Sequence, residues 1–188
     1  MLINMRDALI AGKSLPYDAE VAYLESTGTQ YIDTGIRGAG EGYLALQFLP
    51  LVVADTTRYW RYFGASNGAT ASVRTIGVLS QNRVLFENGY NGVTLGVLGN
   101  VCEIEKTKYR VPEGEIIGDK NFLLFTYNDL VNAGSSRIYY CKLWDSFGNL
   151  VRDFTPVRKG SVGYKYDRVS GQLFGNAGAG AFLYGNDI

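Results

Sequence analysis

In VCEIEKTKY, residues 101–109, two glutamates stand one residue apart. On an extended strand Glu103 and Glu105 project from one face. A pair of carboxylates a few ångströms apart is what glycoside hydrolysis uses, one as acid and the other as nucleophile or base. The next position on that face is Thr107, and Lys106 and Lys108 fall on the other face. The segment reads as a solvated strand, and no catalytic residue is assigned to it. With no histidine among the 188 residues, Ser-His-Asp and Cys-His hydrolysis and most catalytic zinc sites are excluded. Any catalysis would rest on carboxylate, tyrosine, lysine or cysteine.

A second stretch, RYWRYFGASNGA (residues 58–69), alternates Tyr59, Trp60 and Tyr62 with Arg58 and Arg61 and ends in a loop bearing Asn67. Aromatic faces beside guanidinium and amide donors suit sugar rings, which offer apolar C–H faces and hydroxyls together. The loop ENGYNG, with Tyr90 and Asn91, could line the same edge. The alternative is equally physical, because strand alternation turns one set of these aromatics inward as core. Tyr59, Trp60, Tyr62, Asn67, Tyr90 and Asn91 are thus candidate glycan contacts, weighed against core packing and ordinary turns.

Cys102 and Cys141 are the two cysteines; they read as buried free thiols, although a pairing across adjacent strands stays open. Asp55, Asp119 and Asp129 are isolated and no DxDxDG-like cluster exists, so neither metal nor other cofactor is expected. Basic and acidic side chains balance at 18 each, which gives no field for non-specific nucleic-acid binding. No run approaches the about 20 apolar residues of a membrane helix. The start, MLINMRDALIAGK, lacks the basic and apolar regions of a signal peptide, predicting synthesis in the cytoplasm without a leader.

The elements that must carry these residues are mostly strands. Residues 1–18 read as a short helix (2–13) and a proline-bearing linker, SLPYD. Met5, Leu9 and Ile10 fall at helical spacing, a stripe too small to hold a lone helix, so it docks on its own domain or on a partner subunit. From residue 19 to 188 the pattern is short strands with Gly- and Asn-bearing turns, abundant tyrosine (14) and glycine (24), the composition of a single antiparallel β domain. In YLESTGTQYIDTG (residues 23–35), two strand-forming runs flank a Thr-Gly-Thr turn. The segment reads as a fold-forming hairpin rather than a working site, its Ser and Thr hydroxyls tying the turn together. WDSFGNLVRDF and YDRVSGQLF read as two further hairpins. The loop GNAGAG has no following helix, so it is not read as a phosphate cradle.

AYLESTGTQYIDTG near the start and RIYYCKLWDSFGNLVRDFTPVRKGSVGYKYDRVSGQLFGNAGAGAF near the end resemble the concanavalin A-like (laminin G-like) jelly-roll modules of bacteriophages and of prophages of gut bacteria. The resemblance implies an all-β, two-sheet antiparallel jelly roll with first and last strands side by side. It implies a non-enzymatic virion protein, acting in assembly with other virion proteins or copies of itself, or in surface attachment. A carbohydrate-binding adhesin module, on a particle or on a bacterial cell surface, is the alternative. A glycosidase fits less well, because glucanases of this fold carry a third acid on the strand where this chain has Thr107.

Overall fold

The computed structural model describes residues 14–38, 40–51, 59–66, 72–89, 91–111, 120–127 and 133–188. The expected helix with Met5, Leu9 and Ile10 lies outside them. In chain order the strands are β1 (Ala19–Glu20), β2 (Leu24–Ser26), β3 (Ile32–Arg37), β4 (Gly40–Pro50), β5 (Tyr59–Ser66), β6 (Ser72–Val78), β7 (Arg83–Asn88), β8 (Gly92–Gly96), β9 (Cys102–Val111), β10 (Asn121–Leu124), β11 (Ser136–Trp144), β12 (Leu150–Lys159), β13 (Val162–Asp167), β14 (Gln172–Phe174) and β15 (Leu183–Tyr184). Among the described residues the only helix is a 3-10 turn, Leu79–Gln81.

The strands form two antiparallel sheets packed as a sandwich. In the nine-stranded sheet β9, β4, β11, β12, β13 and β14 lie side by side. β2 pairs with the start of β11, β15 with β2, and β1 with the end of β12. The six-stranded sheet runs β3-β10-β5-β6-β7-β8. Leu24, Leu44, Leu46, Phe48 and Phe154 from the first sheet meet Ile32, Phe63, Phe86, Phe122 and Leu124 from the second in one buried core. Phe63 and Phe122 stack at 5.4 Å and Tyr109 meets Phe122 edge-on at 5.2 Å. Each such side chain contributes about 1.5–3 kcal/mol when removed from water. Cys102 and Cys141 are buried free thiols, and burial pushes them up to about 11 and about 12.

The expected hairpin over residues 23–35 is corrected. β2 belongs to the nine-stranded sheet and β3 to the six-stranded one, so the segment is a corner carrying the chain across the core. Leu24 and Ile32, both fully buried, enter the core from opposite sides. Side chains make the corner: Ser26 Oγ donates to the Gln30 carbonyl at 3.0 Å, and the Thr27 amide donates to Gln30 Oε1 at 2.8 Å. Gly28 takes φ 106°, a conformation that a Cβ disfavours. Thr34, also fully buried, donates to the Phe122 carbonyl at 2.8 Å, and Asp33 accepts from the Gly35 amide and Asn121 Nδ2.

The C-terminal loop clasps this corner. Asn176 Oδ1 accepts the Tyr31 amide at 3.1 Å, the Ala177 amide donates to the Tyr31 carbonyl, and the Ala179 amide donates to the Thr29 carbonyl. GNAGAG is thus a structural clasp, and the β2–β15 pairing sets the second strand beside the last one. The other two expected hairpins form as β11–β12 and β13–β14. In the turn after β13, fully buried Asp167 accepts the Val169 and Ser170 amides and the Ser170 hydroxyl, as well as the Asp153 amide. Lys165, fully buried, donates to the Ile138 carbonyl at 2.9 Å. Burial holds its ammonium down at about 7. Tyr17, of the expected linker, is itself buried and packs on Tyr166 at 4.9 Å.

Candidate functional site

Alternation along three neighbouring strands builds a cavity on the outer face of the six-stranded sheet. In β6, Val73, Thr75 and Gly77 turn inward, leaving Arg74, Ile76 and Val78 on the other face. In β7, Val84 and Phe86 are core, leaving Arg83, Leu85 and Glu87 outside. The register aligns these as rungs: Arg74 opposite Glu87, Ile76 opposite Leu85, Val78 opposite Arg83. β5 adds Tyr59 opposite Val78 and Arg61 opposite Ile76. These residues, with Gln81 and Tyr127, line a volume of about 400 Å³.

Tyr127 reaches this face through an unusual backbone. Phe125, fully buried, has φ 74°, a region that costs a bulky residue roughly 1–3 kcal/mol and persists only when its surroundings impose it. They do so here: its amide donates to the Tyr62 carbonyl at 2.7 Å and its ring packs on Phe182 at 4.9 Å. The kink ends β10 and lets Tyr127 turn to the cavity two residues on.

The polar groups of the cavity are arranged about that ring. The Arg61 guanidinium lies 4.2 Å over the Tyr127 centroid, and Arg74 lies 5.6 Å from it. Arg74 Nε pairs with Glu87 Oε2 at 2.5 Å, and its Nη1 stands 3.4 Å from the Tyr127 hydroxyl. Burial holds Arg61 below its usual range, and the like charge of Arg74 adds to this against the opposing influence of Tyr127. Arg74 is held above its range, because Glu87 outweighs the effect of burial. Arg83 Nε is buried without a hydrogen-bond partner. The apolar floor of Ile76, Val78 and Leu85 between planar cationic and aromatic groups can hold a ring with C–H faces and polar substituents.

Of the expected glycan contacts, the structure brings Tyr59 to this cavity. Tyr62 is corrected to a core residue, 1% exposed, packed on Phe48 at 5.7 Å. Trp60 also turns to the core side, half-buried, its Nε1 buried without a hydrogen-bond partner. The reason is alternation, which sets Trp60 and Tyr62 on the face opposite Tyr59 and Arg61; a bulge between Arg61 and Phe63 then turns Phe63 inward beside Tyr62. Asn91 is exposed in the β7–β8 turn, its amide donating to Asn88 Oδ1, and does not line the cavity. Asn67 and Tyr90 lie outside the described residues. Arg74, Arg83, Leu85 and Tyr127, which also line the cavity, are not among the residues expected from the sequence. The signal for the first three was the alternation in SVRTIGV and RVLFEN, but which strands adjoin is a property of sheet order.

Glu103 and Glu105 are exposed on β9, where the Tyr140 hydroxyl donates to Glu103. The expected opposition of lysines and glutamates is corrected. A bulge sets Glu105 and Lys106 together against Ala45, so Lys106 and Lys108 share the glutamates' outer face. Lys106 Nζ lies 4.8 Å over Trp144, and Lys108 pairs with Glu41 at 2.9 Å. No cluster of three or more metal-ligating side chains occurs among the described residues, nor any helix long and apolar enough to cross a membrane. No protein-family model, curated protein or solved structure matches the chain.

Proposed function

We propose that this chain is a non-enzymatic binding module that holds a saccharide in the cavity of the six-stranded sheet. The observation that carries the reading is the cavity itself: about 400 Å³, floored by Ile76, Val78 and Leu85 and walled by Tyr59, Tyr127 and arginines. Its size falls within the range of small-molecule sites, and its mixture of apolar floor and few polar groups is what such sites use. The biological role proposed is surface attachment by a phage or prophage particle, or by a bacterial cell surface. The likeness of the two chain ends to phage jelly-roll modules supports that context. The antiparallel sandwich, with β2 near the start of the chain beside the last strand β15, supports a jelly-roll topology. Other virion proteins or further copies of the chain remain the proposed partners of the segment holding Met5, Leu9 and Ile10.

The test is calorimetric titration of the full chain with a panel of bacterial surface polysaccharides, followed by Tyr59→Ala and Gln81→Ala. Tyr59 is 59% exposed and Gln81 is exposed, so both variants are expected to fold. Loss of one aromatic face should weaken binding about two- to tenfold, from the about 0.5–1.5 kcal/mol of an aromatic contact. The polysaccharides should emerge uncut. Binding untouched by both changes, or cleavage of the bound polymer, contradicts the proposal.

A further inference from the structure

We propose that the saccharide held in this cavity is acidic, and that Arg83, in a cavity also lined by Arg61 and Arg74, receives a carboxylate on the sugar. The inference rests on the reading of the cavity as a saccharide site and names its ligand class. Among the described residues lining the cavity, three carry a guanidinium and one, Glu87, a carboxylate. Glu87 is already engaged by Arg74, the residue opposite it in the ladder. Arg83 stands at the far end of the cavity from that pair, two rungs away, opposite Val78. Its Nε is buried without a hydrogen-bond partner, while Arg83 as a residue lines the cavity beside its apolar floor. A buried donor left without a partner is unfavourable, so a ligand whose binding lets the guanidinium satisfy it gains that advantage. A guanidinium offers two parallel N–H groups, and a planar carboxylate accepts both. A neutral sugar hydroxyl can answer one of them but supplies no opposing charge. Arg61, fixed over Tyr127, adds positive potential on the strand beside Ile76.

The experiment compares tri-galacturonic acid with its methyl ester, two probes of nearly the same shape that differ in charge. Calorimetry is run on the full chain at about 50 and about 300 mM salt, where surface charge interactions are screened to different extents. The proposal expects the acid to bind at least tenfold more tightly than the ester, with the difference shrinking at high salt. Arg83→Gln should remove at least tenfold of the acid's affinity and leave the ester unchanged. Arg83→Lys, which keeps the charge but loses the two-pronged donor, should recover part of it and serves if the glutamine variant does not fold. Equal binding of acid and ester, undisturbed by either variant, overturns the acidic-ligand inference and leaves the saccharide reading standing. Inorganic phosphate binding as tightly as the sugar acid overturns it too, since the site would then take an anion without a ring. If neither trisaccharide nor any polysaccharide of the panel binds, the underlying reading falls with it.

Discussion

At the seam of the nine-stranded sheet, the polar groups of the two chain ends answer one another: Asn176 meets the Tyr31 amide, the Ala179 amide meets the Thr29 carbonyl, and Asp167 satisfies three donors of its own turn. On the outer face of the six-stranded sheet, Arg83 Nε has no such answer, and three guanidinium groups gather over an apolar floor. Both regions are rich in polar side chains within strands and turns. The difference shows that polar content alone does not mark a site. In these two regions the difference lies in whether the chain supplies the partner, although Trp60 Nε1, Thr75 Oγ1 and Ser136 Oγ are also buried without one outside the cavity.

The largest effect expected of the closed region is its response to pH. The folded chain holds Lys165 neutral down to about pH 7, whereas the unfolded chain protonates it from about 10.5 downward. Between those values the unfolded state binds the extra proton, so the Lys165 contribution to stability rises with pH across that window and is lost as pH falls through it. Chemical denaturation of the native chain and of Lys165→Met at pH 7 and pH 10 should show the native chain gaining on the variant by on the order of 3 kcal/mol. A gap that stays constant with pH would mean that Lys165 keeps its charge in the fold.

A smaller effect tests the clasp. A Cβ on Gly178 would lie 2.1 Å from the Thr29 carbonyl oxygen, a backbone atom. Gly178→Ala should therefore cost about 1–3 kcal/mol through forced displacement, visible as a lowered Tm. Saccharide affinity measured below that Tm should hold, because the cavity takes none of its residues from the clasp. Equal loss of affinity and stability would dissolve the distinction between the two regions.

The sequence shows the class of the fold readily. Alternation in YLALQF and the glycines of the β11–β12 and β13–β14 turns are local signals, and the strands they predict are there. The corner at residues 23–35 differs from the expected hairpin for a physical reason. A Gly-bearing turn between two strand-forming runs looks the same locally whether the strands pair or part. The choice is made by remote partners, β11 and β15 for β2 and β10 for β3. The site was legible only in part. Tyr59 and Arg61 carry a readable pattern, yet the bulge beside Tyr62 turns two successive aromatics inward and breaks the alternation. Arg74, Arg83 and Tyr127 lie up to 66 positions from Arg61 in the chain, and lateral strand order brings them together.

Whether the ligand sits on the outer face of the six-stranded sheet can be read residue by residue by nuclear magnetic resonance. Backbone amide shifts of the labelled full chain are followed while tri-galacturonic acid is added. Shifts should concentrate in β5, β6 and β7 and at Tyr127, while Thr29, Tyr31 and residues 176–180 stay in place. Shifts centred instead on Tyr43, Tyr140 and Trp144 of the nine-stranded sheet, or on the clasp, would contradict it.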